Sequence, residues 1–220
     1  MLDLYLIRHA ESEMNVRDDL VGGNSLDTPL SARGKRQAEL LGKRLKANGV
    51  VFDAVHSSTA ARAFNTALIA GREVGFTEDK VVRTEQLLEI DQGDWTGRPR
   101  TEIYTPETIA LIERENRDFT APNGESQRTV EERMHRWITD HFVSRYEDSL
   151  TVGVFTHGLA IKCFLRGVMD STPLMTYKIV IDNTAITRIK YSVRGWHLVA
   201  VNDTAHIPDG ELVGDTYLRT

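Results

Sequence analysis

Residues 4–15, LYLIRHAESEMN, decide how the rest of the chain is read. An apolar run from Leu4 to Ile7 ends on Arg8 and His9, and Ala10, Glu11, Ser12 and Asn15 then supply a small residue, a carboxylate, a hydroxyl and an amide. A short apolar run closed by polar residues reads as a buried strand. Open α/β sheets bind ligands at the carboxyl ends of their strands, so an arginine and a histidine delivered there point to an anion-handling site. On these residues alone the other reading stays open, that Arg8 and His9 simply begin a polar loop.

Working outward, strand-like and helix-like segments alternate, the pattern of a layered α/β fold. Residues 2–7 predict the first strand. Ser31 can cap a helix that carries Ala38, Leu41 and Leu45 on one face and ends at Gly49. Residues 50–56 predict a second strand and 60–74 a helix, and 151–156 followed by 158–167 repeats the unit. Three such crossovers predict helices on both faces of a mainly parallel sheet. Residues 126–145 place Val130, Met134, Trp137, Ile138 and Phe142 on a core-facing stripe. Residues 185–191 and 196–201 flank a turn at Arg194-Gly195, a hairpin that extends the sheet edge. Between these units, residues 91–125 are rich in Gly and Pro and irregular apart from a short helix near 106–116. They read as a lid or substrate wall within one domain spanning 1–220.

Composition narrows the functional classes. The 220 residues carry a net charge of −5 and 27% charged residues, which gives no general attraction to nucleic acid or membrane surfaces. No run approaches the roughly 20 apolar residues of a membrane span. The one cysteine, Cys163, lies in an apolar helical context and fits a reducing compartment. We expect a cytoplasmic protein whose attraction for an anion is local. The hairpin edge also offers a surface through which a homodimer can pair.

Two further segments complete the pattern. Ser57-Ser58 closes the second strand, and Arg62 follows in the opening turn of a helix, where backbone N–H groups favour anions. His157-Gly158 ends the 151–156 strand in the same manner. Two arginines and two histidines thus fall at the carboxyl ends of three predicted strands, which share one edge of a parallel sheet. Taken alone, Arg62 can equally pair with a surface acid. Ser57 and Ser58 are expected to cap the helix that carries it. His56, His135, His141, His197 and His206 are read as packing or surface residues.

The ordered set LIRHAESEMN, DTPLSARGKRQAELL, HSSTAARAFNTA, LLEIDQGDWTG, PNGES, THGLAIKC, NTAIT and NDTAHI resembles the histidine phosphatase superfamily, the phosphoglycerate mutase-like enzymes. The resemblance runs from residue 4 to 207 and implies a three-layer α/β/α sandwich around a mainly parallel mixed sheet. It implies His9 as nucleophile, forming a phosphohistidine. Arg8 and Arg62 would grip the phosphoryl oxygens, with Asn15 and Gly22 completing the phosphate pocket and His157 adding a donor. Glu89 would be the general acid and base, with Glu85 and Asp91 as neighbouring alternatives. No cofactor and no divalent metal are required by that scheme.

This copy departs from the pattern in places. Ala10 stands where relatives more often have glycine, Val21 where they place a polar residue, and the stretch from Gly22 to Leu26 is about two residues longer. The region after Glu89 is short and rather acidic, with Arg98 and Arg100 as its nearby cations, unlike the longer basic insertion of the bisphosphoglycerate-dependent mutases. The resemblance therefore favours a phosphatase acting on a small-molecule phosphate ester, with mutase-type transfer or a catalytically idle phosphate-binding relative as alternatives.

Overall fold

The computed structural model describes residues 1–145 and 149–208; the remainder of the 1–220 span read as one domain lies outside the described residues. In chain order the described elements are β1 (Leu2–Arg8), α1 (Glu13–Val16), α2 (Ala32–Ala47), β2 (Ala54–Ser58), α3 (Ala61–Val74), β3 (Val81–Thr84), α4 (Arg100–Ile103), α5 (Pro106–Glu115), α6 (Gln127–His141), β4 (Leu150–Thr156), α7 (Gly158–Val168), α8 (Met175–Lys178), β5 (Ile186–Ser192) and β6 (Gly195–Asp203), joined by short 3₁₀ turns. The strands form one sheet in the order β3-β2-β4-β1-β5-β6. β3, β2, β4 and β1 run parallel, and the β5–β6 hairpin lies antiparallel against β1. The fold is the expected α/β sandwich with a mixed sheet.

Alternation along β1 shows why. Leu2, Leu4 and Leu6 point to the face covered by α6 and α7, where they meet Val130, Met134, Trp137, Ile138 and Phe164. Tyr5 and Ile7 point to the other face and pack with Leu41 and Leu45 of α2 and Ala67 and Ala70 of α3. Each fully buried leucine contributes about 1.5–3 kcal/mol, so a one-residue slip would turn both faces outside in. The register pairs Arg8 of β1 with Thr156 of β4, which brings the ends of the two strands level. Among the described residues no helix is long and apolar enough to cross a membrane.

Several local expectations change. The second strand begins at Ala54, because Val50 instead ties back to α2 through its N–H to the Leu45 carbonyl at 3.0 Å. β3 is an additional four-residue edge strand. Asn15 sits in the short helix α1, just after the first strand, where Ser12 and Asn15 form a reciprocal capping box. Ser57 and Ser58 do not cap α3 through its N-cap position, which is Ala60 and has no side-chain cap.

Two expected outcomes follow from the packing. A Cβ on Gly34, in the first turn of α2, would lie 1.9 Å from the Glu11 carbonyl oxygen, and backbone there cannot yield without moving the segment after His9. Gly34→Ala should cost about 1–3 kcal/mol and lower the melting temperature by roughly 3–10 °C; an unchanged melting temperature would refute the close contact. His56 packs edge-on against Trp137 and Phe142, its ring centroid 5.1 and 5.2 Å from theirs, and its Nδ1 is buried without a partner among the described residues. Burial, with His141 adding repulsion, pushes its pKa down to about 4; burial does the same for His206. The unfolded chain protonates such groups near 6.5 while the folded chain does not, so their contribution is full above pH 6.5 and is lost as pH falls toward 4. Thermal midpoints should drop steadily over that window, with a shallower slope in His56→Gln.

Candidate active site

The ends of β1, β2 and β4 meet in one pocket of about 110 Å³. Arg8, His9, Asn15, Gly22, Arg62 and Glu89 all line it, and Gly158 and Leu159 form its floor at the start of α7. The His157 ring lies behind, 5.1 Å from that of His9 between centroids and nearly edge-on. All the residues singled out from the sequence are therefore brought together, from positions up to 149 residues apart.

His9 is held from several sides. Its backbone N–H donates to the Thr156 carbonyl at 2.9 Å, and its carbonyl accepts from the Asn183 amide at 2.9 Å. Its Nδ1 is 2.7 Å from the Ala10 carbonyl oxygen. A carbonyl can only accept, so Nδ1 carries the hydrogen and Nε2 is left with the lone pair. Arg62 Nε donates to that Nε2 at 3.2 Å. Burial, then the Arg62 and Arg8 charges, hold the imidazole pKa well below 6.5, so the ring is neutral and Nε2 is a nucleophilic nitrogen facing two guanidinium groups.

Those guanidinium groups are fixed by loop carbonyls. Arg62, 4% exposed, donates to the carbonyls of Gly23, at 3.0 Å, and Ser25, which ties the 22–27 loop to the site. Burial lowers its pKa to about 10, with Glu89 acting in the opposite sense, and it stays charged at neutral pH. Arg8 donates to the Ile181 carbonyl at 2.5 Å, while its Nε is buried with no partner among the described residues. A Cβ at Gly158 would come within 3.3 Å of that Nε, which explains the glycine after His157. Val21 shares backbone hydrogen bonds with Gly97 and Arg98, so the residue that departs from the family pattern joins the 22–27 loop to the 91–125 wall.

Glu89 occupies the opening of α7. Its two oxygens accept the N–H groups of Leu159 at 3.1 Å and Ala160 at 3.2 Å, and Oε1 also accepts from Ile90 at 3.0 Å. The positive end of that helix is thus committed to a carboxylate, and the first N–H of α3 goes to the Leu26 carbonyl at 2.8 Å. The amides of Leu159, Ala160 and Ala61 are thereby taken, while Gly158, at the start of α7, lines the pocket. Neither Glu85 nor Asp91 lines the pocket.

Three positioning residues were given no such role from the sequence, Ser58 having been read as a helix cap. Ser58 Oγ lies 2.9 Å from His157 Nε2 and accepts the Ala60 N–H at 3.2 Å, while His157 Nδ1 is buried without a partner among the described residues. Burial, with Arg62 and His9 adding repulsion, keeps His157 neutral as well. Arg133 of α6 donates to the carbonyls of Gln86 and Leu88 at 2.7 Å each and of Glu89 at 3.2 Å, and pairs with Glu125 at 3.0 Å; it clamps the segment that presents Glu89. Thr66 accepts the Ala10 N–H at 2.9 Å and donates to the Arg62 carbonyl at 2.6 Å, joining the two halves of the site. Ser58 and Thr66 lie inside a quoted motif, HSSTAARAFNTA; Arg133 carries no sequence signal beyond a charge on a helix.

Comparison with known proteins agrees with this geometry. A probable phosphoglycerate mutase of Proteus mirabilis is 29% identical over 217 residues, covering 95% of this chain and 96% of that protein. The structure of YhfR from Bacillus stearothermophilus superposes with a TM-score of 0.81 at 30% identity, covering 94% of this chain and 99% of the other. A phosphoserine phosphatase of Entamoeba histolytica, solved with phosphoserine, gives 0.79 at 26% identity, covering 94% and 100%. The family model of the histidine phosphatase superfamily, branch 1, matches residues 4–204, and the chain belongs to that superfamily.

Proposed function

We propose that the chain is a phosphomonoester hydrolase that works through a phosphohistidine on a small phosphorylated metabolite. The observation that carries this reading is the tautomer of His9: with Nδ1–H given to the Ala10 carbonyl at 2.7 Å, the lone pair of Nε2 stands at the pocket beside Arg8 and Arg62. Nε2 attacks phosphorus as the ester P–O bond breaks. Arg8 and Arg62 grip the non-bridging oxygens with planar forks of donors, and Asn15 and Gly22 close the pocket around them. Glu89 gives its proton to the leaving oxygen. A water then attacks phosphorus, the P–N bond breaks, Glu89 takes the water proton, and inorganic phosphate leaves.

His157 supplies the remaining donor. In a neutral imidazole only one nitrogen bears hydrogen. If the Ser58 hydroxyl donates to Nε2, then Nδ1 carries the hydrogen and His157 can donate to a phosphoryl oxygen; the opposite tautomer would present it with a lone pair. The Ala60 N–H already fills one lone pair of the Ser58 oxygen, which favours Ser58 as the donor. The 91–125 segment serves as the substrate wall.

A mutase reading is favoured by the names of relatives such as the Proteus mirabilis protein and by Arg100, a further cation lining the pocket. Rates decide between the two. Phosphate release from p-nitrophenyl phosphate should exceed any isomerisation of 3-phosphoglycerate, and acid-labile label from the substrate should appear on histidine. His9→Ala should lower turnover by about a thousandfold or more; faster isomerisation than release transfers the assignment to a mutase. Ser58→Ala should reduce kcat by roughly ten- to a hundredfold and move the ¹⁵N signals of His157 away from the Nδ1–H pattern, with partial recovery in Ser58→Thr. A wild-type spectrum with hydrogen on Nε2 of His157 would remove this role.

A further inference from the structure

Beside the pocket that holds His9 lies a second cavity of about 90 Å³. Ile90, Gln92, Tyr104 and Leu159 wall both, so the two chambers adjoin across these side chains. The second chamber is built largely by the 91–125 segment. Trp95 stands edge-on to Tyr104 with centroids 6.1 Å apart and lies tilted over Phe119 at 5.4 Å, and Ile112 adds an aliphatic wall. Walls of this kind favour ring-shaped groups that can stack or pack edge to face.

Charge separates this chamber from the first. Arg8, Arg62, Arg100 and Lys162 line the first chamber and none of them lines the second. The charged side chain that does line it is Glu125, paired with Arg133 at 3.0 Å. A carboxylate or second phosphate placed there would lose its water with no cation in the lining to replace it, the nearby Arg133 being already paired with Glu125. One acceptor is left over. Asn116 Oδ1 is buried with no partner among the described residues, and it belongs to the C-terminal cap of α5, where φ is +52°. A buried carbonyl oxygen without a partner calls for a donor.

Resting on the hydrolase reading of the adjoining pocket, we infer that the second chamber receives the alcohol part of the substrate, and that this part is an uncharged ring bearing a hydroxyl that donates to Asn116. Trp95, Phe119 and Asn116 are then specificity-determining residues, and phosphorylated small carboxylic acids are not the preferred substrates.

Binding tests this independently of turnover. In His9→Ala, calorimetry should rank 3-hydroxybenzyl phosphate above benzyl phosphate, and benzyl phosphate about tenfold or more above 3-phosphoglycerate. Adding Trp95→Leu should reduce the ratio of benzyl phosphate to inorganic phosphate affinity by about tenfold. Asn116→Gly, which suits the positive φ, should cancel the gain from the ring hydroxyl. Should His9→Ala fail to fold, competition by the same ligands against p-nitrophenyl phosphate hydrolysis in the wild-type protein gives the same ranking. Tighter binding of 3-phosphoglycerate than of benzyl phosphate, or affinity ratios unmoved by both substitutions, would overturn the inference. Ring-selective binding with no turnover of any ester would support the chamber assignment while removing the hydrolase reading.

Discussion

Two guanidinium groups buried against one imidazole set the terms for everything around them. Arg8 and Arg62 are 8% and 4% exposed, and a cation taken out of water is costly unless dipoles or charges replace the lost hydration. Here the replacement is mostly backbone. Ile181, Gly23 and Ser25 turn carbonyls toward the two forks, and Glu89 adds a carboxylate nearby. The 22–27 loop and the loop that carries Ile181 are thereby pinned to the same point. Burial first, and the same field after it, keep both histidines neutral, since a third or fourth positive charge in that space would lose its water and meet the first two at low dielectric.

A neutral imidazole makes tautomers decisive, and the surrounding hydrogen bonds can be read as tautomer control. The Ala10 carbonyl takes the His9 hydrogen at one nitrogen and leaves the lone pair on the other, which accepts from Arg62. Ser58, its Oγ 2.9 Å from Nε2, would do the corresponding service for His157. Glu89 belongs to the same economy of charge: its carboxylate satisfies the first amides of α7, and Arg133 holds the chain that presents it. The position of the acid is therefore fixed by helix capping rather than by contact with the groups it would serve.

Much of this was legible in the sequence because strand ends are. An apolar run that stops on Arg-His, a pair of serines followed by an arginine, and His-Gly before a helix each state their own local geometry, and parallel pairing converts those statements into proximity. What was not legible has a different physical origin. Ser58 looks like a capping serine until β4 places His157 2.9 Å away. Arg133 looks like any charge on the polar face of α6 until the 86–89 turn packs against it. β3 is too short and too exposed for periodicity to register, its pattern having one buried residue in four. In each case the information lies in which elements become neighbours, and single-chain patterning does not encode that directly.

The division of labour between sheet and lid follows from the same distinction. The groups proposed to meet the phosphoryl unit gather at the ends of β1, β2 and β4, whose register permits little drift because a slip would expose both hydrophobic faces. The groups proposed to meet the rest of a substrate hang from residues 91–125, held by Arg133, by the bond between the Asp94 N–H and the Pro122 carbonyl at 3.0 Å, and by the Gly97 and Arg98 contacts to Val21. Gly93 and Gly124 approach so closely that a Cβ on either would strike backbone within 2.5 Å, so this wall has its own internal packing rule and does not borrow order from the sheet. It can change its lining without disturbing the strand ends. The chemistry of phosphoryl transfer and the choice of alcohol are for that reason separable, with Ile90, Gln92, Tyr104 and Leu159 as the seam between them.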